Sequence, residues 1–240
     1  DPSLLGRPEL ASVREWAEEA CAGVGSREPP PPLPGGLKVF IATPAFGGNV
    51  TVEYMASVLG LITQLPQVTW QLHLTAGESI LQVGRNNAVM EFLSTDATHL
   101  LFLDADVGFE AETVWGLLAE DRDVALAMYP SKSFNERKMV EAASRRGGLP
   151  RLADGLEFRL RADPQRLREA ARSGARFLEV EAGPAGCMLI RRNVFDELRA
   201  AYPDMHCSIS GSHAGRSVHR EVWWQFFDTM VTGDGEFLTE

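Results

Sequence analysis

Short apolar runs alternate along this chain with stretches in which apolar residues recur every three or four positions. Leu37–Thr43, LKVFIAT, reads as a strand. After the flexible turn Pro44–Gly48, the segment Thr51–Leu65 places Val52, Met55, Leu59 and Ile62 at helical spacing, which predicts a helix burying that face. Val68–Thr75 alternates as a second strand. Strand, helix, strand in this order predicts a parallel sheet with crossover helices. The loop Ala76–Glu78 leads into a second helix. There Ser79 and Gln82 fit a capping box, Leu81, Ala88 and Phe92 offer a face for burial, and Gln82, Arg85 and Asn86 share another face.

The most hydrophobic stretch follows. His99–Leu103 is nearly unbroken apolar sequence and runs directly into Asp104 and Asp106. A short apolar run bounded by polar residues reads as a strand buried on both faces. Glu110–Glu120 predicts a helix with acidic residues at its favourable N-terminal end, and Asp123–Tyr129 a further buried strand. Residues 133–174 are the least regular part, apart from a short strand at Glu157–Arg161 and a helix opened by Asp163 and Pro164 as cap and first-turn proline. Arg176–Ala182 alternates as a half-exposed strand. A turn Gly183–Gly186, a strand Cys187–Ile190 and a helix Arg191–Tyr202 with Val194, Phe195 and Leu198 inward come next. Residues 203–220 read as a loop holding His206, His213 and His219, Phe226–Val231 as a strand, and Gly233–Glu240 as a flexible acidic end.

Residues 1–36 stand apart, with a short helix expected over Pro8–Ala22 (Leu10, Val13, Trp16 and Ala17 on one side) and a polyproline linker over Pro29–Gly36. The expected division is therefore an appendage, 1–36, and one α/β domain, 37–240. A start at Asp1 and an end at Glu240 without a closing turn signal fit a piece of a longer protein.

Composition narrows the function classes. With 45% hydrophobic residues over 240 positions the chain can build a sizeable core, and its formal charge of −10 argues against nucleic acid as a principal partner. A nucleotide ligand needs only a local cation and a metal, so the charge leaves it open. Cys21, Cys187 and Cys207 are widely spaced and form no zinc-ligand pattern; an odd number fits a reducing compartment, and the expected location is cytoplasmic. No apolar run approaches the roughly 18 residues of a membrane span, and no signal peptide is visible.

The candidate chemistry centres on Asp104 and Asp106. An Asp after a strand is commonly a turn former or a helix cap. A pair at the carboxyl end of the most hydrophobic strand lies where open α/β sheets bind ligands, and suits a hard divalent ion, Mg²⁺ or Mn²⁺, completed by phosphate and water. Arg85 is either a solvated surface charge or a group that meets base, ribose or phosphate. Lys132 either neutralises a diphosphate or lies in water. One of the three histidines, His213 among them, is a candidate third metal ligand. Gly183 and Gly186 mark backbone close to a ligand or simply a tight turn.

Taken as an ordered set, LKVFIATPAFG, GESILQVGRNNAV, DADVGF, MYPSK, GPAGCMLIRR and FFDTMV with GEFLTE, the chain from about Leu37 to Glu240 resembles a family 2-like glycosyltransferase of the GT-A fold. The resemblance implies a mostly parallel central sheet flanked by helices, with a Rossmann-like nucleotide-binding half and an acceptor half. It implies Thr43 and Pro44 under the base and ribose, Arg85 and Asn86 on the nucleotide, and Asp104 and Asp106 on the Mn²⁺ or Mg²⁺ that holds the donor's diphosphate; Lys132 and Asp104 join the nucleotide-binding candidates. Gly183 and Gly186 would border the acceptor. The chain's end resembles the family's late acidic motif: Glu240 matches its first member, and the chain ends before the second. Glu240 is the first candidate for a base, with Asp234 and Glu236 as alternatives; a retaining enzyme needs none. The implied partners are a nucleoside diphosphate sugar and an acceptor that is a glycan, a protein or a small molecule, with a homo-oligomer as a further expectation.

Three other readings compete. A phosphohydrolase also uses an Asp-x-Asp pair at a strand end, but after the first strand and with a Thr two residues on; here the pair follows about three strands and position 108 is Gly. A non-catalytic member of the fold would bind a sugar nucleotide or a partner without turnover. A pyrophosphorylase-type nucleotidyltransferase would show a Gly-rich signature with Arg or Lys after the first strand, and none is present.

Overall fold

The computed structural model describes residues 32–213, 216–231 and 237–238. The helix expected over Pro8–Ala22 and most of the acidic end lie outside these residues. The chain divides into two compact units, one including Met128–Pro184, the other Pro30–Ala127 with Ala185–Glu240.

The larger unit is built on a five-stranded sheet of β1 (Lys38–Ala45), β2 (Thr69–Ala76), β3 (His99–Leu103), β4 (Val124–Leu126) and β7 (Cys187–Arg191), in the order β2-β1-β3-β7-β4. β1 runs parallel to both β2 and β3, whereas β7 is antiparallel to β3 and β4. The mixed α/β class and the mostly parallel sheet agree with the sequence reading. β4 is a correction: Asp123–Tyr129 is not one long buried strand but three residues at the sheet edge, with Val124 exposed.

Helices cover both faces. The even-numbered residues Phe40, Ala42, Leu100 and Phe102, with Met188 and Ile190, pack against α2 (Leu81–Leu93) and α6 (Arg192–Ala201) through Ala88, Val89, Phe92 and Phe195. On the opposite face Thr43 bonds to Tyr54 of α1 (Val52–Gln64), Oγ1 to hydroxyl, 2.6 Å, and α1 packs with α3 (Ala111–Glu120). Arg192 secures the end of α2 by donating to the carbonyls of Phe92, Thr95 and Ala97 at 3.0, 2.7 and 2.7 Å, which satisfies carbonyls the helix leaves open.

Two features of these helices correct the sequence reading. α1 buries Tyr54, Val58 and Leu61, not Val52, Met55, Leu59 and Ile62, which are all exposed. The Ser79–Gln82 capping box is not formed; α2 starts after Ile80, whose N–H is met by the Glu78 carboxylate at 3.0 Å. Ala88 and Phe92 are buried as expected, while Leu81 is exposed.

The rest of this unit holds a hairpin where a loop was expected. β8 (His206–His213) and β9 (Arg216–Trp224) pair antiparallel, from His206 opposite Trp224 to His213 opposite Arg216. The Phe226–Val231 strand shrinks to β10 (Met230–Val231), which pairs with β11 (Phe237–Leu238).

The smaller unit is more regular than its sequence suggests. β5 (Pro130–Phe134) and β6 (Leu156–Phe158) pair antiparallel, and α4 (Glu136–Arg146) lies between them in sequence. Asn135 caps α4 by accepting from Lys138 N–H at 3.0 Å, and Gly147 ends it at φ 68°, a left-handed conformation suited to glycine. α5 (Pro164–Ser173) opens as expected, with the Asp163 carboxylate accepting from Gln165 N–H at 2.7 Å. Arg176–Ala182 is not a strand; it makes a single bridge, Ala182 to Arg161.

Candidate functional site

β1 lies between β2 and β3, so the chain steps to one side of β1 and then to the other. In open α/β sheets the crevice outside the carboxyl ends at such a reversal is the usual ligand site. β3, buried at every residue, delivers Asp104 and Asp106 to this edge.

The acidic turn is held from both sides. Asp104 N–H donates to the Gly186 carbonyl at 2.9 Å, before β7. The Ala105 carbonyl accepts from Thr51 N–H, the cap of α1, at 2.9 Å. Phe109 N–H donates to Ser57 Oγ of α1 at 2.8 Å. A Cβ on Gly108 would lie 3.1 Å from Glu53 Cβ, so the absence of a side chain there lets the turn sit against α1. The Asp104 side chain is 35% exposed and Asp106 is exposed, so solvent reaches both residues.

Behind the turn stands Arg85. It is only 1% exposed, with its guanidinium 3.5 Å from the Asp104 carboxylate and 3.5 Å from the Ala185 carbonyl. The rings of Phe102 and Phe227 lie 5.5 and 5.9 Å from its Cζ, in the range of cation–π attraction. Arg85 is therefore not the solvated charge that an arginine on a helix usually is. A charge this deep needs partners, and the Asp104 carboxylate is one.

The next two residues of α2 are also turned inward. Asn86 donates from Nδ2 to the Phe227 carbonyl and accepts Phe227 N–H on Oδ1, both at 2.8 Å. Asn87 Oδ1 accepts from Trp223 Nε1 at 2.8 Å in the core. Thus Arg85, Asn86 and Asn87 tie α2 to the end of β3, to the segment after β9 and to β9 itself. Asn87, Trp223 and Phe227 were not singled out from sequence; three consecutive polar residues in a helix whose neighbours are apolar were the available sign.

The other expected site residues fall as follows. Thr43 is buried, its hydroxyl engaged by Tyr54, whose phenol is pushed up by burial and drawn partly back by that bond. Pro44 is half-buried near the end of β1. Gly186 adjoins Asp104, whereas Gly183 belongs to the smaller unit, as does Lys132, an exposed residue of β5. His213 ends β8, and its side chain lies outside what is described. His206 and His219 are occupied locally, by the Pro203 carbonyl and by Ser210 Oγ, each at 2.7 Å. Asp234, Glu236 and Glu240 lie outside the described residues.

The donor set can be tested against a metal. Among the described residues, no group of three or more His, Cys, Asp and Glu side chains is placed to hold an ion. Asp104 and Asp106 offer two hard oxygen donors beside solvent. That set fits Mg²⁺ or Mn²⁺ shared with phosphate and water, and not a closed all-protein cage.

No family model and no curated protein matches the chain. Among the described residues no helix is long and apolar enough to cross a membrane.

Proposed function

We propose that the protein is a metal-dependent glycosyltransferase of GT-A type that takes a sugar from a nucleoside diphosphate sugar to an acceptor hydroxyl. The observation that carries this reading is the placement of Asp104 and Asp106 at the switch-point edge of a mostly parallel sheet, with the buried cation Arg85 directly behind them. The resemblance of the ordered segments to that family supports it.

In this reaction the bond from the anomeric carbon to the diphosphate oxygen breaks and the acceptor oxygen takes its place. Negative charge grows on the leaving diphosphate. Bound Mg²⁺ or Mn²⁺ would supply neutralisation of that charge. Asp104 and Asp106 would hold the ion, and Arg85 adds fixed positive charge beside it. The hydrogen bond donated by Thr51 and those accepted by Ser57 and Gly186 keep the turn in place before the donor arrives. In an inverting course a carboxylate must accept the hydroxyl proton, and Glu240, Asp234 and Glu236 are the candidates. A cytoplasmic location and a homo-oligomeric state belong to the same reading.

The test is incubation of the full chain and Mn²⁺ with a panel of nucleoside diphosphate sugars and acceptors, following release of the nucleoside diphosphate. Release from one donor by the wild type, abolished in Asp106→Asn, supports the reading. Hydrolysis of a phosphomonoester without any nucleotide would contradict it and favour a phosphohydrolase.

A further inference from the structure

We propose that Arg85 makes the acidic turn a conditional metal site, one that holds a divalent ion well only together with a diphosphate. The proposal rests on the donor-site reading above and assigns Arg85 a positioning role that acts through Asp104.

The charges argue for it. Asp104 and Asp106 bring two negative charges, and Arg85 places one positive charge 3.5 Å from Asp104. At 1% exposure, Arg85 is poorly screened by water or salt. It is also unable to swing away: α2 carries it inside the core, with Phe102 and Phe227 about its guanidinium. An incoming divalent cation therefore shares Asp104 with a fixed cation that repels it. Among the described residues no cluster of three ligating side chains makes up the difference. A diphosphate does: it brings further oxygens and negative charge, and it is attracted by the metal and by Arg85 alike. Metal and diphosphate then raise each other's affinity, and the factor is the same in both directions.

The sign of the effect separates this role from mere structural support. Loss of a supporting side chain loosens the turn and weakens metal binding. Loss of a repelling charge strengthens it.

The experiment is titration of the full-length chain with MnCl₂ at fixed pH and ionic strength, with free Mn²⁺ counted by electron paramagnetic resonance. It is run alone and with saturating UDP, GDP or ADP, on wild type, Arg85→Met and Arg85→Lys shown to be folded by circular dichroism. Removal of a poorly screened charge at this range predicts Mn²⁺ alone binding about tenfold tighter to Arg85→Met than to wild type. Arg85→Lys, which keeps the charge, stays near wild type, and the gain in Mn²⁺ affinity from the diphosphate shrinks in Arg85→Met. Equal or weaker binding of Mn²⁺ alone by folded Arg85→Met overturns the proposal while leaving the donor-site reading intact. Should Arg85→Met not fold, Arg85→Gln shown to be folded decides: Mn²⁺ alone bound about tenfold tighter than by wild type supports the proposal, and equal or weaker binding overturns it. Failure of all three diphosphates to bind overturns both.

Discussion

Asn86 and Phe227 hold each other through a closed pair of hydrogen bonds, side-chain amide to backbone N–H and carbonyl, 2.8 Å in each direction. The two residues are 141 positions apart, so this pair joins α2 to the segment that follows β9. Asn86→Ala leaves both backbone groups without their partner, at a cost of about 2 kcal/mol. Asn86→Asp costs more, because it also sets a negative oxygen against the Phe227 carbonyl. Urea unfolding of the two variants measures both effects. An Asn86→Ala variant as stable as wild type would remove the tie from the account.

In the smaller unit Asp154 is 1% exposed and is held by Arg146 at 2.8 and 3.2 Å through both carboxylate oxygens. Arg146→Met leaves that carboxylate buried without its cation, at a cost of about 3 kcal/mol. Amide hydrogen exchange is expected to quicken across α4 and residues 147–155 and to stay unchanged in β1 and β3. Unchanged exchange throughout would show that the pair contributes nothing to holding this unit.

Cys187 and Cys207 differ in exposure. Burial, with the nearby Asp104 charge adding to it, pushes the Cys187 thiol up to about 12. Cys207 is exposed on β8. Alkylation at pH 8 followed by mass spectrometry is expected to label Cys207 and to spare Cys187 until the chain is unfolded. Labelling of Cys187 in the native protein would contradict the packing of β7 against β3.

His99 sets an acid-side dependence of stability. Burial, and after it the Arg191 guanidinium, holds its imidazole below the usual value of 6.5, with Asp121 pulling the other way. The folded state therefore binds the proton less readily than the unfolded chain. The contribution is complete above pH 6.5 and is lost as pH falls from there through the folded value. Urea midpoints at pH 7.5 and 5.5 are expected to fall on acidification by more in wild type than in His99→Gln. Equal falls would assign the dependence to other groups.

The sequence made β3 legible because a short apolar run bounded by polar residues suits a strand buried on both faces, and the strand boundaries agree with the structure at both ends. α1 shows where periodicity runs out. Tyr54, Val58 and Leu61 form as good a stripe as Val52, Met55, Leu59 and Ile62, and only the sheet beneath decides which is buried. The β8–β9 hairpin went unread because its polar, histidine-bearing strands lack apolar alternation, while Arg176–Ala182 has some alternation but only a single bridge. At the site, the acidic pair could be found by its position just after a strand. The placement of Arg85 could not, because burial of a cation depends on a carboxylate that arrives from a different element.

The central claim is that the acidic turn binds a nucleoside diphosphate through a divalent ion. Calorimetric titration of wild type and Asp106→Ala with nucleoside diphosphates and their sugars, with and without Mn²⁺, tests it most directly. The account predicts binding of one nucleotide series that requires Mn²⁺ and is lost in Asp106→Ala. A folded wild-type protein that binds none of them, or binds equally well without the metal and in the variant, would contradict it.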